Sequence, residues 1–184
     1  MIEPRLKLDY DKRVTAALKA KFGYTNLHQV PRLAKVVVNV TTKDAVADAK
    51  VLDVMAEDIA AVTGQRPVRT YAKRAISAFK IRKGMPLGLK VTLRGSRMYE
   101  FIDRLFSFAA PRIRDFQGFS ANSFDGRGGY SLGLSEQVVF PELEIAKVKK
   151  LFGMNITFQT TAKRDDEARA LLEELGLPFR KGKD

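Results

Sequence analysis

The sequence predicts an α+β fold: a single domain with a mixed or antiparallel sheet and helices packed on one face of that sheet. Segments with apolar residues at every second position alternate irregularly with segments of helical periodicity, which favours this class over a doubly wound parallel fold. The length of 184 residues suits one ordinary domain. Because no repeat and no linker rich in Pro, Gly or Ser divides residues 1–184, we expect one compact unit.

The first half of the chain is predicted to contain two helices and two strands. Gly23 ends the first helix, and Asp44 is expected to cap the second, whose outer surface is acidic. Alternation places Asn39 on the side of the first strand that faces away from the core. The predicted elements are a helix over 8–22, a strand over 32–40, a helix over 44–63 and a strand over 67–71.

The second half is predicted to begin with a strand in which Leu89, Val91 and Leu93 alternate with polar residues. Ser96 can cap the following helix, which Pro111 ends. The predicted elements are a strand over 88–94, a helix over 96–110, extended pieces at 130–134 and 137–140, a strand over 154–161, and a helix from 165 that stops at 176.

Positive charge is concentrated in one stretch of the chain. The formal net charge is +12, and no acidic residue occurs between Asp58 and Glu100. That stretch contains ten basic residues: Arg66, Arg69, Lys73, Arg74, Lys80, Arg82, Lys83, Lys90, Arg94 and Arg97. A concentrated positive potential attracts a polyanion, so the sequence predicts a nucleic-acid partner, with the uncovered face of the sheet directed toward RNA.

Residues 72–86 are predicted to form a basic protruding loop, because connections of this length without structure are often functional. A basic amphipathic helix over 72–83, which would suit an anionic membrane surface, is the alternative. Its apolar face would hold few large residues, so we favour RNA and expect no membrane partner. A short basic tail is predicted at 180–184.

The chain lacks the residues that most catalytic mechanisms require. There are no cysteines, His28 is the only histidine, and no Gly-x-Ser-x-Gly motif accompanies it. The glycines of residues 126–129 lack the Gly-Lys-Ser/Thr ending of a phosphate-binding loop, so a turn is the favoured interpretation. We therefore expect neither a catalytic site nor a bound metal or other cofactor.

Two alternatives to a binding protein stay open from the residues alone. A metal-dependent RNA-processing enzyme would need a Mg²⁺ site built on Glu142, Glu144 or Asp125. An architectural DNA-coating protein would bind duplex DNA and RNA equally, with a steep salt dependence.

Several ordered motifs resemble one family of ribosomal proteins over nearly the whole chain. They are residues 75–80 (AISAFK), 84–88 (GMPLG), 90–95 (KVTLRG), 111–116 (PRIRDF), 124–128 (FDGRG) and 136–142 (EQVVFPE). The chain resembles the bacterial family of large-subunit ribosomal protein number five, which binds 5S ribosomal RNA in the central protuberance. The resemblance implies a structural RNA-binding protein, cytoplasmic and ribosome-bound, in contact with large-subunit ribosomal RNA and neighbouring ribosomal proteins.

The resemblance also implies two RNA-contacting regions. Residues on the sheet face would meet 5S ribosomal RNA, and residues of the basic loop would reach the P-site transfer RNA. The expected 5S-binding residues are Arg32, Asn39, Gln65, Arg69, Thr92 and Arg94. The expected residues of the transfer-RNA loop are Lys73, Arg74, Phe79, Lys80, Arg82, Lys83 and Met85. A bridge to small-subunit head protein number thirteen is implied as well, and Glu142 and Glu144 are the residues expected there.

Overall fold

The computed structural model describes residues 3–144, 146 and 148–180. The chain forms two compact units. Unit 1 comprises Met1–Val36, Arg94–Leu132 and Thr157–Asp184, and unit 2 comprises Val37–Leu93 and Gly133–Ile156. The single domain over 1–184 stays a prediction. Apart from Arg180, the predicted basic tail lies outside the described residues.

A five-stranded antiparallel sheet and its helices confirm the predicted α+β class. The strands are β1 (Leu33–Thr41), β2 (Val68–Tyr71), β3 (Pro86–Leu93), β4 (Gly129–Leu134) and β5 (Met154–Thr160), in the order β2-β3-β1-β5-β4. The helices are α1 (Arg5–Asp9), α2 (Thr15–Phe22), α3 (Val51–Thr63), α4 (Gly95–Arg104) and α5 (Asp165–Glu174). None of these helices is long and apolar enough to span a membrane.

In unit 1, α1 and α2 form one helical stretch joined by a π-helical turn at Tyr10–Val14. It starts three residues before the predicted helix over 8–22 and ends, as predicted, at Gly23. Arg13 ties this stretch to the end of α5, because its guanidinium lies 2.7 Å from the Glu174 carboxylate. The centre of the unit is apolar and includes Leu18, Phe101, Ile102, Leu105, Phe158, Leu171 and Leu172, all fully buried.

In unit 2, α3 packs against β3. Leu52, Met55, Ile59 and Val62 of the helix and Leu89, Val91 and Leu93 of the strand are all buried. The prediction that Asp44 caps this helix is wrong. Residues Lys43–Val46 form a separate 3₁₀ turn whose first residues are held by Thr42, because the Asp44 backbone N–H donates to the Thr42 hydroxyl at 3.3 Å. The α-helix proper therefore begins at Val51.

The prediction of an extended piece at 137–140 is also wrong, since Gln137–Val139 is a 3₁₀ turn. Its cause is the fully buried amide of Gln137. That amide donates to the Lys150 carbonyl oxygen at 2.5 Å and accepts from the Phe152 backbone N–H at 2.8 Å. A buried polar group must be hydrogen-bonded, so the turn follows these partners instead of a strand ladder.

Candidate nucleic-acid interface

One side of the strands of unit 2 carries polar side chains. In the β2–β3 pair, Val68 lies opposite Lys90 and Arg69 opposite Leu89. Directly opposite residues share a face and alternate residues change face, so Lys90 and Thr92 lie on the side away from buried Leu89. We call this side the outer face of unit 2; it carries Asn39, Thr41, Val68, Thr70, Gly88, Lys90 and Thr92.

Gly88 lets the three strands approach each other on this face. A Cβ atom at Gly88 would overlap the Val40 carbonyl oxygen and lie 2.8 Å from Thr41 Cγ2 and 3.0 Å from Thr70 Oγ1. No side chain fits there, so glycine is required by close backbone approach. As a result, the side chains of Thr41 in β1 and Thr70 in β2 lie on either side of Gly88.

The polar groups of the outer face are largely uncommitted. Among the residues that the structure describes, the side chains of Asn39 and Lys90 have no hydrogen-bond or ion-pair partner. Lys90 is exposed, whereas Asn39 and Thr92 are half-buried. None of the strands β1–β5 contains an acidic residue. The outer face therefore offers donors and acceptors, with a positive charge and no competing carboxylate in its strands.

Gln65 lies next to β3 because of how α3 ends. The buried Thr63 hydroxyl donates to the Ile59 carbonyl oxygen at 2.7 Å, and the chain turns at Gly64. The Gln65 amide then lies 3.5 Å from the Thr92 carbonyl oxygen, a long contact that leaves most of the amide's hydrogen-bonding capacity unused. The structure thus brings together three of the predicted 5S-binding residues, Asn39, Gln65 and Thr92, in unit 2.

Arg69 lies on the other side of the sheet from the outer face. It is opposite buried Leu89, and its guanidinium forms an ion pair with Asp53 of α3. The other two predicted 5S-binding residues, Arg32 and Arg94, belong to unit 1. Both are exposed; Arg32 immediately precedes β1, and Arg94 is the extended residue before α4. Their role, like that of Arg69, stays a prediction.

Residues 72–86, which we call the basic arm, form an extended loop with its own hydrogen bonds. At its base, the Ala72 N–H donates to the Met85 carbonyl at 2.8 Å, and the Gly84 N–H donates to the Ala72 carbonyl at 2.9 Å. Near its tip, Ile76 and Ile81 pair as an antiparallel bridge. The alternative of an amphipathic helix over 72–83 is wrong, because only the single turn Ser77–Phe79 is helical.

The tip of the arm presents an aromatic ring beside positive charge. Phe79 is 63% exposed and Ile76 46% exposed. Lys80 has a φ of 55°, a left-handed conformation that non-glycine residues seldom adopt and that the surrounding turn must maintain. Met85 helps to hold residues 82–85 of the arm, since its sulfur accepts a hydrogen bond from the Arg82 N–H at 3.1 Å. The remaining cations of the arm, Lys73, Arg74 and Lys83, are exposed.

The two predicted bridge residues lie in unit 2, after the turn that buried Gln137 anchors. Glu144 is exposed and Glu142 half-buried. Among the described residues, no cluster of three or more His, Cys, Asp or Glu side chains is placed to hold a metal ion.

The glycine-rich loop at 126–129 has its backbone donors occupied by the chain's own carboxylates. Asp165 accepts from the N–H groups of Gly126 and Gly128, each at 3.0 Å. Asp125 accepts from those of Arg127 and Gly129 at 2.9 and 2.8 Å, and these bonds lower the pKa of its carboxyl. The turn interpretation is confirmed, with φ values of 79° and 80° at Gly126 and Gly128. Because all four N–H groups are taken, the loop does not cradle a phosphate.

Sequence reasoning missed several members of the outer face as site residues, namely Thr41, Thr70 and Lys90. Lys90 carried a signal, because it alternates with buried Leu89 and Val91 in the same strand as Thr92. Thr41 and Thr70 are found only from the pairing of β1 and β2 with Gly88, which no local pattern encodes.

Two family models match most of the chain. The one described as Ribosomal protein L5 matches residues 26–82, and the one that describes the C-terminus of the same ribosomal protein family matches residues 86–179. Large ribosomal subunit protein uL5 of Flavobacterium johnsoniae is 56% identical over 178 residues, covering 97% of each chain. The protein of the same name in Thermoanaerobacter sp. is 55% identical over 177 residues, covering 96% of this chain and 99% of the relative. That of Microcystis aeruginosa is 54% identical over 176 residues, covering 96% of this chain and 98% of the relative.

These matches first define a class: a ribosomal protein, and so a structural component of the large subunit and of the translation machinery rather than an enzyme. More narrowly, the chain belongs to the ribosomal protein L5 family. The resemblance found in the motifs is confirmed, and so is the expected location on the ribosome in the cytoplasm. The alternative of a metal-dependent RNA-processing enzyme is wrong.

Proposed function

We propose that the chain helps to anchor 5S ribosomal RNA in the large subunit through the outer face of unit 2. The observation that supports this most is the combination of uncommitted polar side chains with strands that contain no acidic residue. In the same proposal the basic arm contacts P-site transfer RNA, and Glu142 and Glu144 contribute to a bridge with small-subunit head protein number thirteen.

The chemistry of folded RNA fits such a face. A-form RNA has a deep, narrow major groove that side chains read poorly, so proteins recognise its backbone, its 2′-hydroxyls and its exposed loop bases. The amides of Asn39 and Gln65 and the hydroxyl of Thr92 can donate to and accept from those groups. Lys90 supplies charge for phosphates. Hydrogen bonds then specify the RNA, and charge adds affinity.

The basic arm has the properties of a contact that forms and breaks. Its cations are exposed on a loop whose backbone hydrogen bonds lie within the loop itself, and loops of this kind open more easily than strands within a sheet. A transfer RNA changes in every elongation cycle, so its contact must tolerate different sequences. Phosphate contacts from Lys80, Arg82 and Lys83, with Phe79 against a ribose or base, would provide that tolerance.

Binding of the full chain to 5S ribosomal RNA tests the proposal, with transfer RNA and a duplex DNA of equal length as competitors. If about six phosphates are contacted, raising the salt from about 50 to 200 mM should weaken binding roughly 300- to 2,000-fold. The preference for 5S ribosomal RNA should persist at both salt concentrations, because hydrogen bonds to the outer face do not depend on counterion release.

Equal binding to all three nucleic acids, lost together as salt rises, would contradict the proposal. That outcome would leave a general polyanion binder, which is the behaviour of an architectural DNA-coating protein.

A further inference from the structure

The segment that joins β4 to β5 is closed at its base. It comprises residues 135–153, which belong to unit 2, and we call it the β4–β5 loop. A Cβ atom at Gly153 would lie 2.9 Å from the Leu134 carbonyl oxygen and 3.3 Å from that of Ser135. The two ends of the loop therefore approach each other closely enough to require glycine. The loop carries both predicted bridge residues, Glu142 and Glu144.

The side-chain amide of Gln137 joins the two ends of this loop. It is fully buried, donates to the Lys150 carbonyl oxygen at 2.5 Å and accepts from the Phe152 backbone N–H at 2.8 Å. Both partners precede β5, which begins at Met154. A side chain, and not strand pairing, therefore fixes the backbone of the returning chain. We call these two hydrogen bonds the Gln137 clamp.

Two further contacts connect the clamp to the rest of unit 2. Burial raises the pKa of the Asp58 carboxyl on α3, and a hydrogen bond with the Gln137 amide partly opposes that rise. The Lys150 ammonium group forms an ion pair with Asp44, in the 3₁₀ turn that precedes α3. The clamp thus holds both ends of the β4–β5 loop against structure that is formed by the first part of unit 2.

Consecutive turns lead from the clamp to the bridge residues. The Phe140 N–H donates to the Gln137 carbonyl oxygen at 3.2 Å, and the Leu143 N–H donates to the Phe140 carbonyl oxygen at 3.3 Å. The Phe140 side chain is fully buried between these turns. Because Glu142 and Glu144 follow so closely, the direction in which their carboxylates point depends on where the clamp holds Gln137.

The clamp favours one arrangement of the loop over the alternatives. A hydrogen bond inside a protein gains little over the same bond to water, but a buried donor or acceptor without a partner is costly. In any other arrangement the buried amide of Gln137 would lose its partners, so a satisfied polar network of this kind specifies a single structure. A surface that is ordered before binding also avoids the entropy cost of ordering when its partner arrives.

We propose that Gln137 is a positioning residue for the intersubunit bridge. Its amide holds the β4–β5 loop in the arrangement in which Glu142 and Glu144 meet small-subunit head protein number thirteen. Gln137 acts through the loop and does not itself touch the partner, since it is fully buried. This inference rests on the bridge that forms part of the proposed function.

The test replaces the amide by an apolar group of similar size in Gln137→Leu. Hydrogen exchange of the Phe152 backbone N–H in the full chain reports on the clamp directly. Association of large subunits that carry the variant with wild-type small subunits reports on the bridge. Gln159→Leu is the matched control, because Gln159 is a half-buried glutamine of β5 whose side chain has no hydrogen-bond partner among the described residues.

We expect Gln137→Leu to speed exchange at Phe152 roughly 5- to 150-fold, the effect of leaving one buried group unpaired. Subunit association should weaken about threefold or more, because only molecules with the correctly arranged loop bind. Binding of the free chain to 5S ribosomal RNA should change less than about twofold, since the outer face of unit 2 is untouched. Gln159→Leu should leave exchange at Phe152 and subunit association at their wild-type values.

Gln137→Glu separates positioning from simple packing. When protonated, the new carboxyl group can donate to the Lys150 carbonyl oxygen and accept from the Phe152 N–H, as the amide does. When ionised, it can only accept, and it is repelled by the Asp58 carboxylate. Relative to the wild-type chain at each pH, protection of the Phe152 N–H should therefore be restored as pH falls and lost as pH rises. A side chain that only fills space would show no such dependence.

The double variant Glu142→Gln with Glu144→Gln distinguishes failure of this inference from failure of the bridge. If it weakens association while Gln137→Leu does not, the bridge exists but Gln137 does not position it. Unchanged exchange at Phe152 in Gln137→Leu would also overturn the inference, because the clamp would then not hold the loop. If the double variant leaves association unchanged, the proposed bridge is wrong and the positioning role of Gln137 is wrong with it.

Discussion

The outer face of unit 2 and the basic arm are both positively charged, yet they are built differently. The face rests on three paired strands that approach closely at Gly88, and its polar groups are fixed by that packing. The arm is a loop held by backbone hydrogen bonds within itself, including a bridge near its tip, and it exposes Ile76 and Phe79. Charge alone therefore does not distinguish the two regions. Under the proposed function, the packed strands of the face suit a lasting RNA contact and the loop suits one that forms and breaks.

The largest effect should come from removing the close approach on which the outer face depends. Gly88→Val places a branched side chain against the Val40 carbonyl oxygen and both flanking threonines, so we expect a loss of at least about 3 kcal/mol in the free energy of unfolding. Urea denaturation measures it. Gly133→Ala is the control, because its nearest neighbour would be Asn155 Oδ1 at 3.6 Å and it should cost less than about 1 kcal/mol. Similar losses in both variants would remove the special role of Gly88.

Changes in the basic arm should weaken transfer-RNA retention without weakening the binding of 5S ribosomal RNA to the outer face. Replacing Lys80, Arg82 and Lys83 by Ala removes three exposed cations without touching β2 or β3. We expect retention of transfer RNA in the P site of variant ribosomes to fall about 10- to 100-fold, while binding of the free chain to 5S ribosomal RNA changes less than about threefold. A filter-binding assay measures both. A large loss of 5S binding by the triple variant would contradict the separation of the two regions.

A finer comparison uses two cations on neighbouring strands of the same unit. Lys90 lies on the outer face, whereas Arg69 lies on the opposite side and pairs with Asp53. Lys90→Ala should weaken 5S binding by about fivefold, the effect of one phosphate contact, and Arg69→Ala should weaken it by less than about twofold. The affinities of both variants for 5S ribosomal RNA, measured at one fixed salt concentration, show which substitution has the larger effect. The reverse order would mean that the RNA also reaches the side occupied by α3.

The smallest effect concerns stability alone. Burial raises the pKa of the Asp58 carboxyl on α3, with the Gln137 amide partly opposing the shift. A raised pKa means that the folded state holds this proton more tightly, so stability falls as pH rises above the ordinary pKa, and the loss is complete above the folded pKa. Asp58→Asn should therefore stabilise the chain at pH 7, by less than about 1 kcal/mol, and the gain should vanish below the ordinary pKa of the group. Urea unfolding at several pH values measures it; a gain that grows toward acid would give the opposite sign.

Local patterns predicted the parts of the site that depend on local chemistry. Alternation placed Lys90 and Thr92 away from the core, and Gly64 marked the helix end that positions Gln65. They could not predict that Arg69 faces α3, since this depends on the register that places Arg69 opposite buried Leu89. The start of the acidic helix was misplaced because Lys43–Val46 forms a separate 3₁₀ turn, capped by Thr42, and α3 begins only at Val51.

The same limit applies to long-range partners. Gln137 lies in a stretch whose composition suits a strand, and only the positions of Lys150 and Phe152, more than ten residues later, make it a turn. The Asp165 carboxylate, which accepts from N–H groups of the glycine-rich loop, is a second example, because Asp165 is 37 residues from Gly128 in sequence. Hydrogen bonds between distant segments decide these features, and they follow from the fold instead of preceding it.

Recognition of 5S ribosomal RNA by the outer face is tested by the affinity of the double variant Asn39→Ala with Thr92→Ala for that RNA. If the outer face specifies that RNA, the loss of two sets of hydrogen bonds should weaken binding about 30-fold, while the urea midpoint stays unchanged. The double variant Thr25→Ala with Asn122→Ala, which changes two polar residues of unit 1, should bind like the wild type. An unchanged affinity of the first variant, with its fold intact, would contradict the assignment of 5S recognition to the outer face.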